Sequence, residues 1–204
     1  MEEARSLLQK YLPEKAVDDI VKLLFTHRDL ILRITRERQS KLGDYKKINT
    51  HQHRISINHN LNPYQFLITL LHEMAHYLAY KKHGAKIKPH GREWKNEFKD
   101  LLRRYLHPDI FPVEILDQLT KYAQNPKAST AGDGALYLAL SQYDKTKNPE
   151  LKYIFQLKKG EKFQLKNGQS FQLMEKRRTR YKCQNLNNRK IYLIHQNAEV
   201  LPLK

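Results

Sequence analysis

The stretch "LLHEMAHYLAY", Leu70 to Tyr80, reads as the middle of an apolar helix, yet it carries two histidines and a glutamate. Burying unpaired polar groups is costly, so His72, Glu73 and His76 need a reason to be there. On a wheel of about 100° per residue with His72 at zero, His76 falls at about 40° and Glu73 at about 100°. Thr69 and Tyr80 share that arc. Leu67, Leu71, Ala75 and Leu78 fall opposite, between about 220° and 300°. The polar trio has a face of its own, and the apolar face is complete without it.

Two histidines one turn apart can aim their imidazoles at one ion, with nitrogen–zinc distances of about 2.0–2.1 Å. The adjacent glutamate flanks the ion and can take a proton from a zinc-bound water, whose pKa falls to about 7. This is the H-E-x-x-H pattern of zinc peptidases. A catalytic site needs a third protein ligand and an open position. His83 returns near the face of His72 but sits about 16 Å further along a continuous helix. A glycine three residues after His76 would bend the chain back, as in metzincins, but Ala79 stands there. Glu97 on the following helix and His90, between Pro89 and Gly91, both remain open by spacing alone.

Outward from this stretch, Asn62 suits a helix N-cap and Pro63 a first turn. Gly84 and Pro89 mark its end. Upstream, apolar residues at helical spacing over 3–24 break at Pro13 and predict two short helices. "DLILRI" and "HRISINHNL" alternate as strands, with a turn near Gly43. Downstream, Trp94, Phe98, Leu101, Leu102 and Tyr105 form the apolar stripe of a helix from about Gly91 to Leu106, with Trp94 locking it against the first. "PVEILDQLTKYA" and "GALYLALSQY" predict two more. "KTKNPE", Lys145 to Glu150, reads as a linker, and beyond it "YIFQL", "KFQLKNGQSFQL", "RRTRYKC" and "KIYLIH" are short and alternating. Asn167-Gly168 marks a hairpin. The expectation is an α+β chain: a helical/β domain over 1–145 and a small all-β domain over 150–204.

The chain has 204 residues and a net charge of +17. From Leu151 to Lys204 it carries thirteen Lys or Arg against Glu161, Glu175 and Glu199. Such an excess favours polyanions, nucleic acid or acidic lipid. Read as one strand, "KRRTRYK" puts Lys176, Arg178, Arg180 and Lys182 on one face as a candidate phosphate-contacting stripe. No apolar run is long enough to span a membrane. The N-terminus lacks a signal-like apolar stretch. With Cys183 alone, no internal disulfide forms, and a cytoplasmic location is the default expectation.

"NHNLNPYQFLITLLHEMAHYLAY" followed by "HGREWK" resembles the SprT-like zinc metallopeptidases, a family that includes the Spartan protease, which clears proteins crosslinked to DNA. "RERQSKLGDY" is similar to the strand and turn before the family's site. The resemblance covers about Leu30 to Leu106. It implies a zincin-like peptidase domain, one catalytic Zn2+ held by His72, His76 and His90, and Glu73 as general base. It also implies protein substrates, with DNA as a partner. Many relatives carry a zinc ribbon after the peptidase domain. "KRRTRYKC" resembles its second half, but the other cysteines are missing. A β-sheet held by Tyr153, Phe155, Phe163, Phe171, Leu173, Tyr181 and Tyr192 is expected instead, with Cys183 as a half-buried packing residue. His27, His51, His53, His59, His107 and His195 read as surface or satisfied core residues. The alternative function is a nucleic-acid-binding module whose zinc site is structural or inactive; a peptidase without a DNA link is the second rival.

Overall fold

The computed structural model describes residues 1–38, 40–144 and 148–203, with the side chain of residue 131 left aside. Three residues of the expected linker, Lys145, Thr146 and Lys147, lie outside the described residues. The fold is α+β, with six α-helices and two sheets among the described residues. It divides into two compact units, Met1–Thr130 with Leu138–Lys145, and Ala131–Tyr137 with Thr146–Lys204. Among the described residues no helix is long and apolar enough to cross a membrane.

The first unit opens with α1 (Glu2–Leu8) and α2 (Val17–Thr26), followed by β1 (Leu30–Thr35), β2 (Gly43–Lys47) and β3 (His53–Asn58). The sheet order is β1-β3-β2, with β1 parallel and β2 antiparallel to β3. Then come α3 (Pro63–His83), α4 (Arg92–Tyr105), α5 (Val113–Gln124) and α6 (Gly134–Ser141), whose two halves fall in different units.

Helix α3 begins where the sequence says it should. The Asn62 side-chain oxygen accepts from the Gln65 N–H at 2.9 Å, and Pro63 occupies the first turn. The Asn62 amide also donates to the Leu140 carbonyl and to Asp144. Gly84, at φ 75°, ends the helix in a conformation that favours glycine.

The wheel needs one correction. Leu78 on the expected core face is only half-buried, whereas Thr69 and Glu73 are buried. Helix α3 packs against β2, β3 and α4, so it has little solvent face before its last turn, Lys81–His83. The chain bends at Ser40 and Leu42, beside the expected turn, and Gly43 itself is the first residue of β2.

In the second unit, β4 (Lys152–Tyr153), β5 (Lys162–Leu165), β6 (Ser170–Arg177), β7 (Arg180–Asn185), β8 (Ile191–His195) and β9 (Glu199–Leu203) form an antiparallel sheet of order β4-β9-β5-β6-β7-β8. The expected hairpin at Asn167-Gly168 joins β5 to β6, with Gly168 at φ 80°. "YIFQL" is mostly a 3-10 turn, Ile154–Gln156, and not a strand. The core holds Phe163, Phe171 and Leu173 as expected, plus Ile154, Leu157 and Val200. Tyr192 is largely outside it, 37% exposed. Cys183 is fully buried, not half-buried, and burial raises its thiol to about 12, which leaves it a packing residue.

The basic stripe is also corrected. "KRRTRYK" is two strands and a turn: β6 ends at Arg177, Arg178 turns at φ 51°, and β7 starts at Arg180. Arg177 pairs with Arg180, Lys176 with Tyr181, and Glu175 with Lys182. Paired residues share a face, so Arg177, Arg180 and Lys182 lie together around Glu175, with Lys176 on the other face over the Tyr181 ring. Glu175 binds both Lys182, at 2.8 Å, and Arg177, at 3.3 Å.

Candidate metal centre

Helical spacing places His72 and His76 one turn apart on α3, and the α3–α4 connection returns His90 to them. The Nε2 atom of His90 lies 3.1 Å from that of His72 and 3.0 Å from that of His76. All three ligand atoms fall within 4.8 Å of one another. Three nitrogens at about 2.0–2.1 Å from a tetrahedral ion would be about 3.3–3.4 Å apart, close to what is seen. Burial, reinforced by the neighbouring histidines, lowers His72 to about 3 and His76 to about 4, and burial lowers His90 as well. The rings are therefore neutral near pH 7, the form that binds a metal. In the tautomer that leaves each Nε2 unprotonated, the three lone pairs converge on one point, where a cation can sit. The residues fit a nitrogen-ligated metal such as zinc.

His90 stands just outside α4. It precedes the N-cap Gly91 and sits at φ 57°, a conformation uncommon outside glycine and better tolerated by histidine than by bulky or branched residues. That conformation aims the ring back at α3. Beneath the triad lies the fully buried Trp94. Its ring centre is 4.7 Å from His72 and from His90 and 5.4 Å from His76. Its indole N–H donates to the His72 carbonyl at 3.2 Å. The other two sequence candidates stand apart from the cluster. His83 is exposed, and Glu97 binds Lys82 at 3.1 Å.

Glu73 is 8% exposed. Burial, helped by Asp44, raises its carboxyl to about 7 against a hydrogen bond from the Tyr45 backbone and the charges of Arg38 and Lys41. Strand β2 presses on it: a Cβ at Gly43 would meet Glu73 Cγ and Oε1 at 2.9 Å and Thr69 Cγ2 at 2.6 Å. Sequence reading missed Gly43 as a site residue. The available signal was a glycine inside a strand pattern, which marks a close backbone approach.

Tyr45, two residues on, lies nearly parallel to both His53 and His76, 9° and 6° between planes, and its hydroxyl meets His53 Nδ1 at 2.9 Å. His53 is thus a satisfied core histidine. Tyr45, Glu73 and the three clustered histidines line a cleft of about 620 Å3 that also takes in Thr130, Gly84 and Pro89.

Residues 14–110 match the SprT-like family. The match covers just under half of the chain and contains the three histidines, Glu73 and Gly43. No curated protein and no solved structure matches the chain. Within the SprT-like segment the two motifs that carry the resemblance, H-E-x-x-H and the H-G-x-E-W stretch, meet at one point. In the second unit, by contrast, the four cations expected as a stripe are divided between a turn and two faces.

Proposed function

We propose that the chain is a zinc-dependent metalloendopeptidase of SprT-like type. The observation that carries this reading is the convergence of His72, His76 and His90 with the buried carboxylate of Glu73 at one wall of an open cleft. The three Nε2 atoms would hold the ion. A bound zinc supplies Lewis-acid polarisation of the scissile carbonyl and acidifies a water. Glu73 accepts the proton of the attacking water on its carboxylate and delivers it to the leaving amine. Its buried setting, with a proton affinity tuned near neutrality, suits a group that must both take and release a proton. Gly43 and the Tyr45 N–H orient the carboxylate, and Trp94 fixes the ligand rings. The free edge of β2 forms part of the cleft, where an extended chain can lie.

We assign proteins associated with DNA as the substrates. Support comes from the SprT-like match and from the basic excess of residues 151–204. The test is Glu73→Gln in zinc-loaded protein, assayed on a DNA-binding protein with and without DNA. The variant should retain zinc and lose cleavage by about 10²–10⁴-fold. Undiminished cleavage would remove the peptidase reading and leave a nucleic-acid-binding module with an inactive metal site. Cleavage that ignores DNA would remove only the DNA link.

A further inference from the structure

The three-stranded sheet has two outer edges. β2 borders the metal cleft; β1, at the opposite end of the order β1-β3-β2, borders a second groove of about 630 Å3. We propose that this second groove is a docking site that receives an extended, acidic and apolar segment of another protein as an added strand beside β1. The inference does not rest on the metal centre.

Consecutive residues Leu32 to Arg36 line the groove, so it runs along the edge of the strand and not over one face. The Asp29 carbonyl accepts from the His53 N–H and the Thr35 carbonyl from the His59 N–H. Odd-numbered residues of β1 thus point their peptide groups at β3. Leu32 and Ile34 therefore turn theirs toward the groove, where a row of donors and acceptors can template another strand. The facing wall is α1 and the turn after it, which contribute Leu7, Leu8 and Tyr11. Leu7 is 49% exposed there, an apolar side chain held in water at the groove mouth. A strand edge facing a helix across an apolar trough is the arrangement by which extended peptides are captured: backbone bonds supply affinity and alternate side chains fill the trough.

Charge selects the occupant. Arg33 and Arg36 line the groove and make no ion pair among the described residues. No carboxylate lines it. A second copy of a chain at +17 would meet like charge, so the complementary occupant carries Asp or Glu between apolar residues.

The test uses a fluorescein-labelled octapeptide alternating Glu with Val, its Lys-for-Glu counterpart, and oleate. The acidic peptide should bind, the basic one should not, and backbone amide exchange at Leu32 and Ile34 should slow in the complex. Arg33→Glu with Arg36→Glu should weaken binding by about ten-fold or more, and Leu7→Asp, at an exposed position, should weaken it without disturbing the fold. The proposal is overturned if the acidic peptide fails to bind at about millimolar concentration, a floor for specific recognition. Equal binding of the basic peptide, unchanged exchange at Leu32 and Ile34, or binding of oleate alone would overturn it too. So would protection of those amides by self-association of the free protein.

Discussion

The indole N–H of Trp94 donates to the carbonyl of His72, so the residue that floors the histidine cluster also holds the backbone of its first member. Trp94→Phe keeps an aromatic floor and removes the donor. Loss of one such hydrogen bond costs about 1 kcal/mol of stability. Zinc affinity, measured by competition with a chelator, should fall by about ten-fold, the lower end for groups that orient ligands. Unchanged affinity would show that Trp94 only fills space.

Metal stoichiometry separates the three sequence candidates for the third ligand. His72→Ala, His76→Ala and His90→Ala should each lose most bound zinc by elemental analysis. His83→Ala should keep it, because that side chain is exposed beyond the cluster. Glu97→Ala should keep it as well, since its carboxylate is engaged with Lys82. A zinc-free Glu97→Ala beside a loaded His90→Ala would overturn the assignment.

Gly43→Ala tests the contact between β2 and Glu73, the proposed general base. Its methyl would lie 2.9 Å from Glu73 Oε1 and Cγ, so the carboxylate or the strand must shift. Overpacking of this kind costs about 1–3 kcal/mol. Peptide cleavage should fall far more than zinc content, because the displaced group is not a ligand. Equal loss of both would mean that the whole site had collapsed.

Asp29 carries a pH signature remote from the ligands. Burial opposes its charge, but hydrogen bonds from Tyr77, at 2.6 Å, and Lys81, at 2.9 Å, outweigh it and hold the carboxyl at about 2, below its ordinary 3.8. A depressed folded-state pKa contributes stability that is present above the unfolded value and is lost as pH falls through the folded one. After solvent screening the contribution is on the order of 1 kcal/mol. Urea unfolding should show Asp29→Asn less stable by that amount near neutrality, with the gap closing as pH falls from 3.8 toward 2. A gap independent of pH would assign the effect to packing.

For the second unit, Arg177, Arg180 and Lys182 are the cations that share a face. Replacing all three by Ser should weaken duplex binding and flatten the salt dependence by about 2.7 in log–log slope if each meets one phosphate. Glu175 pairs with two of the three, Arg177 and Lys182, so a smaller change would mean that those two stay engaged with the carboxylate. An unchanged affinity and slope would move DNA contact elsewhere or remove it.

Much of the site was legible because it rests on local periodicity. The i, i+4 spacing of His72 and His76, the cap at Asn62-Pro63, the stop at Gly84 and the hairpin at Asn167-Gly168 each follow from a few neighbouring residues and the geometry of one helix or turn. What the chain does over longer separations was not legible in the same way. Spacing left His90 and Glu97 equal; the φ of 57° at His90 and the Lys82 partner of Glu97 separated them. The sequence marks a turn near Gly43, and only the packing of β2 on α3 makes that glycine the residue that admits Glu73. "KRRTRYK" alternates as if it were one strand, yet the sheet reverses at Arg178, because pairing of β6 with β7 satisfies backbone groups that a single strand would leave open. Periodicity is a property of one element and is written in its residues. Which elements meet, and which side chains they squeeze or aim, is settled by burial and backbone pairing across the whole fold, and only the tertiary structure decides it.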